Sequence, residues 1–99
     1  MKSTLPIAVP ATVTTGEALD VTAYDILSAP VLILGGGTIT VQFQESYDGG
    51  TTWLNVGAAL SATGKANASF DRCATHVRAN TTAASSPTGL SGHCAAHQG

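Results

Sequence analysis

Three histidines and two cysteines are the side chains of this sequence best suited to hold a metal ion. His93 and His97 are four residues apart on one predicted strand face, and His76 could face them to complete a zinc or nickel site. No aspartate or glutamate follows Asp71, and histidines on the wet face of a strand or near a chain end are far commoner than metal ligands. We therefore predict no metal site and no cofactor.

Cys73 and Cys94 are the two thiols, and a bridge between them would close a loop of about twenty residues, worth ~3 kcal/mol. The alternative is two free thiols, which are normal at small apolar positions. Pro6 and Pro10 interrupt the apolar stretch near the N-terminus, so we do not expect a secretory signal peptide. Because disulfides are rare in reducing compartments, we predict free thiols.

The six carboxylates show no paired spacing that would set an acid opposite a base. A nucleophile needs a base and a group that orients it, and Cys73 with His76 is the only near pair along the chain. Closeness in sequence is poor support for such a pair. We therefore predict that the protein is not an enzyme and has no catalytic residues.

The charge distribution and the length of the apolar runs argue against two further classes of function, nucleic-acid binding and membrane spanning. The net charge is −2 and the four basic residues are scattered, so no basic stripe is available to bind nucleic acid. The longest apolar run, residues 31–34, is far shorter than the ~20 residues of a membrane span. Only 10% of the residues are charged, which favours association, so we expect a homo-oligomer.

The elements that would position these residues are short strands. The clearest is 38–47, where Ile39, Val41, Phe43 and Tyr47 alternate with polar residues and only Glu45 breaks the pattern. A turn at 48–51 leads to a second strand at 52–56 and makes a hairpin. We predict an odd register that pairs Tyr47 with Trp53 and buries the indole with Phe43 and Val41.

Further alternating or apolar runs predict six or seven strands in all, and no helix is indicated. A glycine run at 35–37 is predicted to end or kink the strand at 31–34, and 81–89 is predicted as a loop. The strand count favours a small antiparallel β-sandwich, either jelly-roll or immunoglobulin-like. The other predicted strands are 19–24, 31–34, 65–70, 76–80 and 90–97.

The length of 99 residues fits a single domain. Prolines 6 and 10 favour an extended N-terminal arm over residues 1–15, which could lie across a neighbouring copy. Residues 16–99 are predicted to form the β-sandwich domain.

The hairpin fits the pattern Ser-x-Asp-x-Gly-x-Thr-Trp at all five specified positions: Ser46, Asp48, Gly50, Thr52 and Trp53. An aspartate at the start of a tight turn accepts hydrogen bonds from the turn's backbone, and glycines supply the positive φ that such turns require. The segment resembles the Asp-box hairpin of sialidases, other β-propellers and many virion proteins. In those families the motif is structural, which the resemblance implies here as well. Sialidase chemistry needs an arginine cluster, and this chain has two arginines.

A wider pattern runs from Leu19 through the hairpin to a late strand containing Val77-Arg78-Ala79. It resembles the small β-sandwich virion proteins of tailed bacteriophages. The resemblance implies a non-enzymatic structural protein of the virion, assembled in the host cytoplasm. It would be a capsid decoration or cement protein whose partners are the major capsid protein or another virion protein, and copies of itself.

The alternative is a small carbohydrate- or surface-binding module of a phage tail or adhesive complex. A lectin needs exposed aromatic side chains, and Tyr24, Tyr47 and Trp53 are the candidates. Since two of the three are expected in the core, the sequence favours the decoration protein.

Overall fold

A computed structural model describes residues 2–24, 26–71 and 73–97 of the chain. Over these residues the chain is all β, with no helix. Its ten strands are β1 (Lys2–Ile7), β2 (Thr14–Thr15), β3 (Leu19–Asp20), β4 (Ile26–Leu27), β5 (Val31–Ile33), β6 (Gly36–Ser46), β7 (Leu54–Asn55), β8 (Gly64–Lys65), β9 (His76–Thr88) and β10 (Ser91–His97).

Two five-stranded antiparallel sheets make up the fold. In sheet I the order is β1-β10-β5-β8, and β4 also pairs with β10. In sheet II the order is β2-β9-β6-β7, and β3 also pairs with β9. The predicted all-β antiparallel sandwich is thereby confirmed. The strands outnumber the predicted six or seven because five of the ten are two-residue segments that pair with longer neighbours.

The core between the sheets contains few large side chains. Phe43 and Leu32 are the largest fully buried ones, and Phe43 meets Phe70 edge to face with ring centroids 6.5 Å apart and planes at 84°. Such aromatic pairs contribute about 0.5–1.5 kcal/mol beyond the area they bury. Small residues such as Ala79 and Cys94 fill much of the remaining space. The core is therefore thin, as the composition implies.

Strand β6 lies inside sheet II, between β9 and β7. Its predicted alternation is confirmed at three buried positions, Ile39, Val41 and Phe43. Tyr47 is 45% exposed, so its predicted place in the core is wrong. The reason is that β6 ends at Ser46, where the chain turns, and the buried Glu45 takes the last inward position.

Strand β9 continues through the segment predicted as a loop at 81–89, so that prediction is wrong. It pairs with β6 along nearly its whole length, and the register slips where Ser86 and Pro87 lie opposite Gly37. Proline cannot donate to a ladder and is tolerated at a bulge. The bulge therefore accommodates Pro87 without ending the strand.

The N-terminal segment is extended, as expected, but it lies within the sandwich. Strand β1 pairs with β10 through six residue pairs as the edge strand of sheet I. Leu5 and Ile7 enter the core, while Pro6 between them faces outward. An edge strand is where proline is tolerated, because one side of the strand needs no ladder partner. Residues 14 and 15 pair with β9, so the expected boundary at 15 does not separate an arm from the domain.

Other predicted strands are shorter than expected. Of 19–24 only Leu19–Asp20 forms a strand, and of 65–70 only Lys65 does, at the end of β8, although Ala66 and Phe70 are buried. In the second segment the Asn67 Oδ1 atom accepts a hydrogen bond from the backbone of residue 58, which holds the chain as a loop. The strand predicted at 90–97 is confirmed as β10, with alternate residues buried at 92, 94 and 96.

Candidate functional site

The histidines do not come together as a three-histidine site would require. His76 begins β9 in sheet II, and His93 lies on β10 in sheet I. Their neighbours Val77 and Cys94 face the core, so the two imidazoles are on opposite outer faces of the sandwich. The side chain of His97 lies outside the described part. Among the described residues no group of three His, Cys, Asp or Glu side chains could hold a metal ion.

The cysteines occupy different environments. Cys73 is exposed in the loop before β9, and Cys94 is fully buried, and both are free thiols. Burial raises the pKa of Cys94 to about 11, so this thiol stays protonated near neutral pH. It serves as a small apolar side chain of the core.

The hairpin at residues 46–53 connects β6 to β7, and most of the hydrogen bonds of its turn are internal. The buried Ser46 hydroxyl donates to Asp48 Oδ1 at 2.8 Å and accepts from the backbone N–H of Gly50 at 2.9 Å. The same carboxylate oxygen accepts from the backbone N–H groups of Thr51, at 3.2 Å, and Thr52, at 2.9 Å. The turn is thus built around the Ser46 hydroxyl and the Asp48 carboxylate.

These bonds favour the ionised carboxylate. The backbone N–H of Thr52 and then the Ser46 hydroxyl lower the pKa of Asp48 from 3.8 to about 2. Gly49 and Gly50 have φ values of +79° and +99°, which side chains rarely adopt. The geometry therefore gives Ser46, Asp48 and the two glycines a structural role, which is to hold the turn.

Replacing Asp48 with asparagine is expected to reduce the stability that the fold loses as the pH falls. The carboxyl group has a pKa of about 2 in the fold against an ordinary 3.8, so its ionisation stabilises the fold above pH 3.8. This contribution is lost as the pH falls through about 2. We expect the wild type to lose more stability than Asp48→Asn between about pH 6 and pH 2, measured as urea midpoints.

The comparison of the two proteins isolates Asp48 from other carboxyl groups. Asp20 also has a lowered pKa, because the backbone N–H and hydroxyl of Thr22 bond to it, and it acts equally in both proteins. Glu17→Gln, which removes a charge at an exposed position, is the control. Equal acid losses in the wild type and Asp48→Asn would contradict this role.

The hairpin register is even, so the predicted odd register is wrong. Gln44 pairs with Asn55 and Glu45 with Leu54, and one further step places Trp53 opposite Ser46. Trp53 is half-buried on the outer face of sheet II, not mostly buried in the core. Its Nε1–H donates to the carbonyl of Gly50 at 2.9 Å, which fastens the indole to the turn.

Arg78 stacks on this indole, with its Cζ atom 4.1 Å from the ring centroid. Its Nε–H donates to Gln44 Oε1 at 2.8 Å, and Gln44 Nε2 donates to Asn55 Oδ1 at 3.0 Å. These four side chains, Trp53, Arg78, Gln44 and Asn55, are called the Arg78 cluster below. Sequence reasoning missed this cluster. The alternation of Arg78 with the inward Val77 and Ala79 is a signal for its outward position, but its partners depend on the sheet register.

Glu45 is the acidic residue buried beside the hairpin, and it is only 8% exposed. It accepts from the Tyr47 hydroxyl at 2.7 Å and from the backbone N–H of Asp71 at 2.8 Å. The hydrogen bond to Glu45 raises the pKa of Tyr47 to about 12. The carboxylate therefore ties the loop before β9 to the end of β6, and both of its oxygens have partners.

The two outer faces of the sandwich differ in polarity. Sheet I presents an outward set of apolar side chains, called the apolar face below: Pro6, Ile26, Val31, Ile33 and Ala95. Ile26 is 58% and Ile33 39% exposed, while their neighbours Leu27 and Leu32 are buried. Two described side chains of this face are basic: Lys65, which pairs with Val31, and the half-buried His93, which pairs with Pro6 and Val31. Sheet II instead presents mainly amide, hydroxyl and charged groups around the Arg78 cluster.

A shallow cleft of about 200 Å³ lies where β1 approaches β3. It is lined by Pro6, Ala8, Glu17, Ala18 and Leu19, so it contains one titratable side chain. Pockets for drug-sized ligands are larger, at about 300–1,000 Å³. The cleft offers a lone carboxylate rather than a set of convergent polar groups.

Comparisons of this chain with protein-family models, with curated proteins and with solved structures find no match. Within the described residues, no helix is long and apolar enough to cross a membrane. Function is therefore inferred from the geometry of the two outer faces and the hairpin.

Proposed function

We propose that this chain is a non-enzymatic structural protein of a phage virion, a capsid decoration protein that binds the shell lattice. Its partner in this proposal is the major capsid protein or another virion protein, and it acts in several copies. The proposal draws on the resemblance to small β-sandwich virion proteins, and the polarity of the surface supports it.

The apolar face of sheet I is the observation that carries the proposal. Ile26 of β4 and Val31 and Ile33 of β5 project outward at successive positions beside β10. Among the described side chains, Lys65 is the one lysine or arginine on this face, and His93 lies opposite Val31. Contiguous exposed apolar side chains mark interaction sites more often than isolated ones do. A sheet face with few charges fits the surface of another protein better than it fits a small ligand, which prefers a concave site.

Undecorated capsids of the encoding phage should bind the wild-type protein saturably in a co-sedimentation assay. Ile33→Lys places a charge on the apolar face, and we expect it to weaken binding at least about tenfold, because an unpaired buried charge is costly at an interface. The fold should be little affected, since substitutions at exposed positions usually change stability by about 0.5 kcal/mol or less.

Leu54→Lys is the matched control, because Leu54 is 49% exposed but lies on β7 of sheet II. This variant should bind capsids as the wild type does. The proposal fails if the wild type ignores undecorated capsids, or if both lysine variants bind equally well.

A carbohydrate- or surface-binding module of a tail or adhesive complex is the second candidate. The position of Trp53 favours it, since the indole lies on a polar face beside amide side chains rather than in the core. Neutral sugars that quench or shift the fluorescence of this single tryptophan would support the second candidate. Capsid binding without any sugar response would support the first.

A further inference from the structure

Arg78 is held in place before any ligand arrives. The indole of Trp53 supports one face of the guanidinium, and the bond from Nε to Gln44 fixes its rotation. Trp53 is itself fastened to the carbonyl of Gly50. A guanidinium fixed in this way loses little conformational entropy when it binds a planar oxyanion.

Within the described part of the Arg78 cluster, the amide oxygens already accept hydrogen bonds, and several side-chain N–H groups remain as donors. Because a guanidinium can only donate, Gln44 must turn its oxygen to Arg78, and its amide nitrogen then donates to the oxygen of Asn55. Asn80 repeats the pattern nearby, since its oxygen accepts from Thr15. Within the described residues, no hydrogen bond engages the Arg78 Nη atoms or the Nδ2 atoms of these two asparagines. The surface is thus complementary to a ligand rich in acceptors.

On the outer face of sheet II, the carboxylate closest to Arg78 in the strand register is that of Asp20, and it already accepts hydrogen bonds. Asp20 lies opposite His76, the adjacent outward position on β9, and accepts from the backbone N–H of Thr22 at 2.9 Å and its hydroxyl at 2.7 Å. No described carboxylate forms an ion pair with Arg78, which is the only lysine or arginine on the described outer face of sheet II. The positive charge is therefore open to a carboxylate from outside.

We propose that the Arg78 cluster docks an acidic protein surface, with a partner's carboxylate accepting hydrogen bonds from the Arg78 guanidinium. Arginine and carboxylate match geometrically, because two N–H groups can meet two oxygens. The guanidinium covers one face of the indole, where a sugar would otherwise stack, so a protein carboxylate fits this cluster better than a glycan. The inference goes beyond the proposed function, since sheet II faces away from the apolar face and both can be occupied together.

The test uses the fluorescence of Trp53, the single tryptophan, and the NMR signal of the Arg78 Nε–H. A capped tetraglutamate peptide should shift both signals saturably, with a dissociation constant on the order of millimolar, since one exposed ion pair contributes little. A capped tetraglutamine peptide should shift neither. Arg78→Lys keeps the charge but loses the planar fork, and we expect at least about fivefold weaker binding.

Arg78→Gln and Lys65→Gln form a matched pair, because each removes one positive charge and Lys65 lies on sheet I. Only the first should abolish the response. The inference is overturned if the wild type shows no saturable shift, or if both variants lose binding equally. Binding of glucuronate but not of the peptide would also overturn it, in favour of an acidic sugar. The peptide test does not depend on capsid binding through sheet I, so its outcomes can be interpreted even if the proposed function fails.

Discussion

Replacing Phe43 with alanine is expected to destabilise the sandwich by about 3–5 kcal/mol. The ring is 1% exposed and meets Phe70 edge to face, so its removal leaves a cavity and breaks an aromatic pair. A domain of this size has a total stability of about 5–15 kcal/mol, and the thin core offers few other large side chains. Urea denaturation followed by circular dichroism measures the loss.

Leu54→Ala is the control for the loss of a large apolar side chain, because Leu54 is 49% exposed. We expect it to change the free energy of unfolding by about 0.5 kcal/mol or less. Phe70→Ala and the double variant complete a cycle, and a non-additive loss would measure the coupling between the rings. Equal, small losses for Phe43→Ala and Leu54→Ala would contradict the position of Phe43 at the centre of the core.

Replacing Gly37 with alanine is expected to destabilise the fold by about 2–5 kcal/mol. Its φ of +73° strains any other residue, and an added Cβ would collide with the carbonyl of Ser86, whose carbon would be 2.7 Å away, and with Cα of Pro87 at 2.9 Å. Both contacts are backbone atoms of the bulge in β9, so neither can move aside without disturbing the ladder with β6. Urea denaturation again gives the difference in free energy.

Gly49→Ala separates backbone strain from the collision. Gly49 has a similar φ of +79°, but an added Cβ would find nothing within 4 Å. Only the left-handed conformation is then penalised, by about 1–2 kcal/mol. The two variants should therefore differ clearly. If they lose the same stability, the close packing of β6 against the bulge is not what makes glycine necessary at position 37.

The two outer faces give one small sandwich two separate surfaces for contacts in an assembly. The apolar face of sheet I and the Arg78 cluster of sheet II lie on opposite sides of a core built by the inward faces of the same strands. Ile33→Lys and Arg78→Gln therefore probe separate surfaces, and neither alters a buried side chain.

The hairpin at residues 46–53 joins the core to the Arg78 cluster. Ser46 and Asp48 set the turn, the turn fixes the even register, and that register brings Trp53 out to the face where Arg78 meets it. Residues that hold a turn thus also determine where the Trp53 side chain lies on the surface.

Local sequence determined the elements whose signals lie within a few residues. Alternation predicted β6 and β10, because residues two apart on a strand face the same side whatever the strand pairs with. The Asp48 turn was also predictable, since its donors and acceptors lie within four residues of one another. The all-β class followed from the same patterns together with the lack of helical periodicity.

Tertiary structure decided where an element's partner lies far away in sequence. Pro87 is compatible with a loop or a bulge, and the long pairing of β9 with β6 makes it a bulge. The N-terminal prolines are compatible with a free arm or an edge strand, and pairing with β10, more than eighty residues away, makes residues 2–7 an edge strand. Neither choice is encoded in the neighbouring residues.

The position of Trp53 shows the same limit within the hairpin. An odd and an even register put the indole on opposite faces, because a shift of one residue reverses every side chain of a strand. The burial of Glu45, satisfied by Tyr47 and by the backbone of Asp71, removes the need for an aromatic residue at the inward end of β6. That bond to residue 71 forms only in the folded chain. Sequence determined which residues could turn and pair, and long-range packing decided which of their two faces met the core.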